Sequence, residues 1–366
     1  MKYTTGNIFV CLLVLLACLS AGCREDRERR SGEDMLRLQP YAGSFCELSG
    51  LATKATVTPP AGYVLYSALH PSPELNYATI GVFLTRAGES VAAASGSFTY
   101  QGADLWTSNV KVKSLLQYYL YGFMPAEIAS SADVAPYSGS FANGAVMTIE
   151  GLDAVTPADL CVVSGVKGVE SADESPVALR LGQFGYLGKE IGYNYVYLLL
   201  EHLYAGLDFN IRIDAGYKAL RTVKLKEMRL RTAGGSSVDA TVTIAANGTG
   251  ASPLTSVSFD VTAGSDSTTM FLNEDGLELT EDYHSVLGCF TPGLGNDFTL
   301  ISIYDVYDTK GNLVRKDCRA ENDLSRLTLL SSLTRGQKYT INLTVNPTYL
   351  YQLSEPDLDN PVIDLN

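Results

Sequence analysis

From about residue 56 onward, apolar and polar positions alternate over short runs. That two-residue period marks strands with one buried and one wet face. Tyr339, Ile341, Leu343 and Val345 alternate with Thr340, Asn342 and Thr344, and Val223, Leu225 and Glu227 alternate with Lys224, Lys226 and Met228. Residues 77–84 predict a strand with Ile80, Val82 and Leu84 on one face and Thr79, Gly81 and Phe83 on the other. Further strands are predicted over 98–106, 115–123, 146–149, 160–163, 240–244, 257–261 and 298–307, each bounded by Gly, Ser, Asn or Pro. Asp308-Thr309-Lys310-Gly311-Asn312 predicts a tight hairpin turn with Gly311 in the left-handed region. Helix signals are weak; the best, residues 194–207, also fits a buried strand. The pattern predicts a mainly β chain with a few short helices.

The N-terminus breaks this pattern. Lys2 precedes an almost continuous apolar run over residues 8–19, which ends in Leu19-Ser20-Ala21-Gly22-Cys23. This is the order of parts in a secretory signal peptide, and the apolar part falls short of the about 20 residues that a membrane-spanning helix needs. Cys23 after Ala-Gly resembles the lipobox of bacterial lipoproteins, which implies lipidation of Cys23 and removal of residues 1–22. Arg24-Glu25-Asp26-Arg27-Glu28-Arg29-Arg30-Ser31-Gly32-Glu33-Asp34 follows, too charged to bury itself. A solvated tether is the plain reading. Glu25-Asp26 also resembles the surface-export signal of Bacteroidetes lipoproteins, and the arginines offer sites to a trypsin-like protease.

Charge narrows the partners. The whole chain carries a net charge of −13. Removing residues 1–22 takes away Lys2 alone among charged residues, leaving 26 basic against 40 acidic residues. Such a chain suits neither nucleic acid nor anionic lipid. The remaining 344 residues suggest two domains, and the polar stretch 169–176, ending in Pro176, marks the boundary. The predicted organisation is signal 1–22, lipidated leader with a candidate displaceable strand 23–55, first β domain 56–172 and second β domain 173–366. Hydrophobic residues at 46% supply two cores and exclude wholesale disorder. Cys46, Cys161, Cys289 and Cys318 remain after processing. Export permits disulfides; Cys289–Cys318 is the expected bond, with buried thiols as the equal alternative.

Catalytic patterns are missing. His70, His202 and His284 stand apart with no HExxH, and no G-x-S-x-G elbow occurs. Gly248-Thr249-Gly250 reads as a turn, and Asp357-Leu358-Asp359-Asn360 lacks the glycine and distal glutamate of a calcium loop. No cofactor, metal ligand set or enzymatic activity is expected. Tyr118, Tyr119 and Tyr121, and again Tyr193, Tyr195 and Tyr197, could stack on sugars, but alternating tyrosines more simply fill sheet faces.

Taken in order, the lipobox, the charged leader and two β-rich domains resemble the fimbrillin superfamily, the lipoprotein pilins of Bacteroidetes. Ile80-Gly81-Val82-Phe83, then Trp106, then Tyr118 to Pro125 is similar to the family's order in the first domain. The segments 200–209 and 339–350 are similar to its second-domain segments. The resemblance implies two transthyretin-like β-sandwich domains in tandem and a structural subunit of a surface pilus, as shaft, tip or anchor. It further implies proteolytic removal of an N-terminal strand and insertion of a strand from the next subunit. Candidate cleavage sites are Arg30, Arg37 and Lys54, and the displaceable strand would be 45–51 or 54–58. Leu343, Val345, Tyr349 and Tyr351 alternate as a donor strand requires, although Pro347 interrupts them and Pro356 and Pro361 follow. Implied partners are other pilin subunits through strand exchange, the outer membrane through lipid, and a host or bacterial surface ligand. The implied location is the outer membrane surface and the pilus. The alternative is a monomeric lipid-anchored surface protein that binds glycan or host matrix.

Overall fold

The computed structural model describes residues 33–43, 46–47, 63–65, 78–89, 94–102, 105–113, 116–168, 183–186, 196–232, 237–245, 254–262, 266–293, 298–327, 330, 333–349 and 356–365. Strands are numbered along the chain. The first sheet holds β1 (Glu33–Gly43), β3 (Tyr63–Leu65), β4 (Thr79–Arg86), β5 (Ala94–Tyr100), β6 (Trp106–Lys113) and β7 (Leu116–Met124). It also takes in β10 (Cys161–Gly168), β11 (Gln183–Tyr186) and β12 (Val196–His202). The order β10-β12-β1-β6-β5-β4-β7 is closed by a second pairing of β10 on β7, where Cys161 faces Met124 and Val162 faces Phe123. Closure pairs every member of that ring on both sides. Inside it Leu36, Leu38, Ile80, Phe98, Trp106 and Leu198 are wholly buried.

β7 is buried on both faces. Tyr118, Leu120 and Met124 point into the ring, whereas Tyr119, Tyr121 and Phe123 point outward into a second core. That core is covered by a four-stranded sheet of β8 (Ser131–Pro136), β9 (Gly144–Asp153), β15 (Ser237–Ala245) and β16 (Leu254–Thr262). Met147, Ile149, Val242 and Ile244 supply its apolar side. The Tyr121 hydroxyl donates to the carbonyl of Phe141 at 2.8 Å, and burial pushes its pKa up. These tyrosines fill the sheet rather than form a platform.

A third core lies between two sheets. One contains β2 (Cys46–Glu47), β13 (Ala205–Ile213), β18 (His284–Thr291), β21 (Gln337–Tyr349) and β22 (Pro356–Leu365). The other contains β14 (Thr222–Thr232), β17 (Asp266–Glu278), β19 (Phe298–Tyr307) and β20 (Leu313–Asp323). Phe209, Ile211, Leu343 and Val345 meet Leu225, Leu230 and Val306 between them. The β19–β20 turn is as expected: Gly311 has φ +83°, and the Asp308 carboxylate accepts the amides of Lys310 and Asn312.

Three expectations change. Residues 98–106 are not one strand, because a turn between Gln101 and Leu105, with Gly102 at φ +84°, separates β5 from β6. The described part of 194–207 is not helical and follows the buried-strand alternative. β12 and the start of β13 lie there; Val196, Leu198 and Leu200 of β12 point into the barrel core, while Leu203 and Tyr204, between the two strands, join the second core. The described helices are short: α1 (Ala215–Lys218), capped by Asp214, and two single turns at Ala126–Ile128 and Tyr137–Gly139. Finally, the sheets cross position 172. β11 and β12 complete the first sheet, and β8 and β9 pair into a sheet with β15 and β16. Local polarity at 169–176 marked a connection, while strand pairing is set at long range.

Candidate functional site

The residues first expected to leave were 45–51 or 54–58. Of these, only Cys46 and Glu47 are described; they form β2, parallel to β21 in the third core's sheet. The strand lodged in the barrel is β1, which starts at the last two acids of the charged leader. Leu36, Leu38 and Ala42 are each 0% exposed, while Met35 and Arg37 face outward. Its pairing is staggered. Residues 33–38 run antiparallel to β6, with a register shift between Met35 and Arg37. Residues 38–42 run parallel to β12, and 41–43 also pair with β3. Leu38 is held on both sides, opposite Trp106 and Val196. Lifting β1 out would open a groove walled by β6 and β12.

Arg37 therefore sits in a paired strand, with Thr107 opposite. A protease that binds its substrate extended cannot reach that peptide bond while β1 is in place. Cys23, Arg30, Lys54 and Tyr351 lie outside the described residues. Among the described residues, no helix is long and apolar enough to cross a membrane.

At the other end, Leu343 and Val345 are 0% exposed. Both belong to the third core and are flanked by Ile211 and Ile213 of β13 and by Leu365 and Ile363 of β22. They are core residues here, and withdrawing them would empty the sandwich. Tyr349 ends β21, opposite Pro356. β22 pairs with β21 alone among the described strands, and its ladder contains Pro347 opposite Pro361. Neither proline has an amide hydrogen to donate, so that rung is empty, and the register shifts directly after it.

The expected Cys289–Cys318 disulfide is not formed. Both side chains are buried in the third core, but Cys289 lies on β18 and Cys318 on β20, strands of opposite sheets. Burial pushes the Cys289 thiol pKa up, which favours the packed thiol of the alternative reading.

A polar cluster that the sequence spacing did not suggest lies where β10 and β12 begin and end. Cys161 and His202 are register partners across these strands. Asp159, two residues before Cys161, brings its carboxylate against the same ring. His202 Nδ1 is 3.0 Å from both Asp159 oxygens and 3.3 Å from Cys161 Sγ. All three side chains are buried. The Cys161 thiol is pushed well above its ordinary pKa, first by burial and then by the Asp159 carboxylate, to which it hydrogen-bonds. A buried, protonated thiol is no nucleophile. Nearby, Arg335 reaches Glu201 at 3.4 Å, and the Gly336 amide donates to the Tyr204 carbonyl at 2.9 Å. His284 is separate, with Nε2 2.8 Å from Thr280 Oγ1, and His70 lies outside the described residues.

No family model matches the chain, and no curated protein sequence does. Solved structures do. The chain is similar to a protein assigned to cell adhesion from Bacteroides fragilis, at 13% identity and a TM-score of 0.44 over 91% of this chain and 97% of that one. It is similar to a fimbrial protein from Bacteroides vulgatus at 10% identity, with a TM-score of 0.38 over 91% and 98% of the two chains. It is also similar to the fimbrial anchor protein Mfa2 from Porphyromonas gingivalis at 11% identity, with a TM-score of 0.28 over 91% and 95%.

Proposed function

We propose that this chain is a structural subunit of a cell-surface pilus, exported as a lipoprotein acylated on Cys23 and assembled by β-strand exchange. The observation that carries the reading is the position of β1. It is the first described strand, it follows a leader rich in arginines, and it is a wall strand of a closed barrel, paired between β12 and β6 with Leu36 and Leu38 in the core. A cut on its C-terminal side, at Lys54, releases β1 from the covalent chain; a cut at Arg30 shortens the leader and leaves β1 seated. The vacated groove presents unpaired backbone along β6 and β12, with pockets emptied of Leu36 and Leu38. An incoming strand of alternating apolar residues satisfies both.

Pairing in β22 suits a donor. Among the described strands it is paired along one side only, and its ladder is broken at the opposed prolines. Release of β22 leaves Leu343 and Val345 paired to β13, so the third core keeps its central strands. The donor is thus β22 with the segment leading into it, while Leu343 and Val345 stay in place. A subunit whose β1 is never cut would cap or anchor a fibre; a cut subunit would extend it.

The test is the N-terminus of the protein on cells, read by mass spectrometry of monomeric and high-mass surface fractions. Chains beginning after Lys54 in the high-mass fraction bear out the shaft role. Lipidated Cys23 on every molecule, all of them monomeric, overturns strand exchange and leaves the lipid-anchored binding protein.

A further inference from the structure

We infer that Asp159, Cys161 and His202 form a binding site for a single divalent transition-metal ion, with Zn²⁺ the best match. The three residues bring one oxygen, one sulfur and one nitrogen ligand, all within 4.8 Å of one another. This mixed, borderline-soft set supplies three of the four ligands that tetrahedral Zn²⁺ takes, and a water molecule would be the fourth. The size also fits. With Zn–S of about 2.3 Å and Zn–N and Zn–O of about 2.0–2.2 Å, tetrahedral ligands stand about 3.6 Å (S to N) and about 3.4 Å (N to O) apart. Observed separations are 3.3 Å and 3.0 Å, so the cluster need open by only a few tenths of an ångström.

The metal-bound site would be neutral: once binding has displaced the Cys161 proton, a carboxylate, a thiolate and a neutral imidazole sum to −2 and one divalent ion balances them, so no net charge is left buried. Binding breaks the Cys161 S–H bond, forms a metal–sulfur bond and releases the proton to solvent, so affinity rises with pH. Because the site is closed, the ion would be taken up during folding rather than by the finished barrel. A site between β10 and β12 would fasten the seam beside β1, but the inference does not depend on strand exchange.

The experiment uses the chain from residue 24 onward, which omits only the signal and the lipidated Cys23, refolded with equimolar Zn²⁺ or Co²⁺ and separated from unbound ion. Bound metal is measured by mass spectrometry, and the Co²⁺ form by its absorption. The expected result is one ion per chain, with tetrahedral Co²⁺ bands and a thiolate-to-metal charge-transfer band. Cys161→Ser should remove the charge-transfer band and weaken binding at least about tenfold, whereas Cys289→Ala should keep both. The competing arrangement is a hydrogen-bond network in which thiol and imidazole donate to Asp159. It predicts less than about a tenth of an ion per chain and a melting temperature indifferent to Zn²⁺ and to chelator, and that outcome overturns the inference. Should Cys161→Ser fail to fold, the stoichiometry and melting shift of the unaltered chain decide.

Discussion

Leu38 offers the sharpest test of the barrel. It is 0% exposed and stands between Trp106 on β6 and Val196 on β12, which are 0% and 1% exposed. Leu38→Ala removes three buried carbons from a site whose walls are hydrogen-bonded strands, so little collapse can fill the void. Core Leu→Ala changes cost about 2–5 kcal/mol, and the poor collapse puts this site at about 3–5. Adding Leu36→Ala raises the total to about 5–8 kcal/mol, less than the simple sum where the two cavities merge. That approaches the about 5–15 kcal/mol of a whole domain. Met35→Ala, on the outward face at 48% exposure, should change stability by about 0.5 kcal/mol or less. Trp106 is the chain's single tryptophan, so its fluorescence during urea unfolding reports this barrel alone. A Leu38→Ala change below about 1 kcal/mol, with Trp106 emission unaltered, would refute the placement of β1 in the core.

Other consequences are equally direct. Gly122→Ala should prevent folding of the barrel or unfold it well below the parent midpoint. A β-carbon there would lie 2.2 Å from the Gly81 carbonyl oxygen and 3.2 Å from the Val82 Cα, and β4 and β7 would have to part; a parent-like melt would contradict this. Truncation after Tyr349 should leave a folded monomer with native circular dichroism that no longer enters high-mass assemblies. Loss of the third core in that variant would show that β22 is structural rather than donated. Acid should loosen the β14–β17–β19–β20 sheet first. Glu278 is held below its usual pKa by its bond to Lys218, Asp308 by Asn312, Asp317 by Lys226, Glu321 by Arg319, and Asp323 by Ser325. Carboxyls with depressed folded pKa values contribute stability that is present above their ordinary values, 4.5 for Glu and 3.8 for Asp, and lost as pH falls through the folded ones. Hydrogen exchange between pH 5 and pH 3 should therefore rise in β19 and β20 before the barrel; uniform exchange, or earlier opening of the barrel, would count against it.

Much of the strand content was legible in the chain itself. The alternations at 77–84, 298–307 and 339–345 became β4, β19 and β21, because a sheet with one wet face writes its period directly into the residues. Asp308 to Asn312 encoded its turn locally, through a carboxylate that caps nearby amides and a glycine free to take positive φ. β1 was hidden. Its start shares Glu33 and Asp34 with a charged run, Pro40 interrupts it, and only Leu36, Leu38 and Ala42 carry the period. What makes it a barrel strand is pairing with β6 and β12, far along the chain.

The same division runs through the chemistry. Composition fixed the acidic balance, and motif the expectation that the leader directs export, which depend on residues one at a time or in short runs. Tertiary structure alone decided that Cys289 and Cys318 stand on opposite sheets, that Leu343 and Val345 are core, and that Asp159, Cys161 and His202 share one buried point. Strand register sets those distances, and register is a property of pairs of distant segments. No window of local sequence contains it.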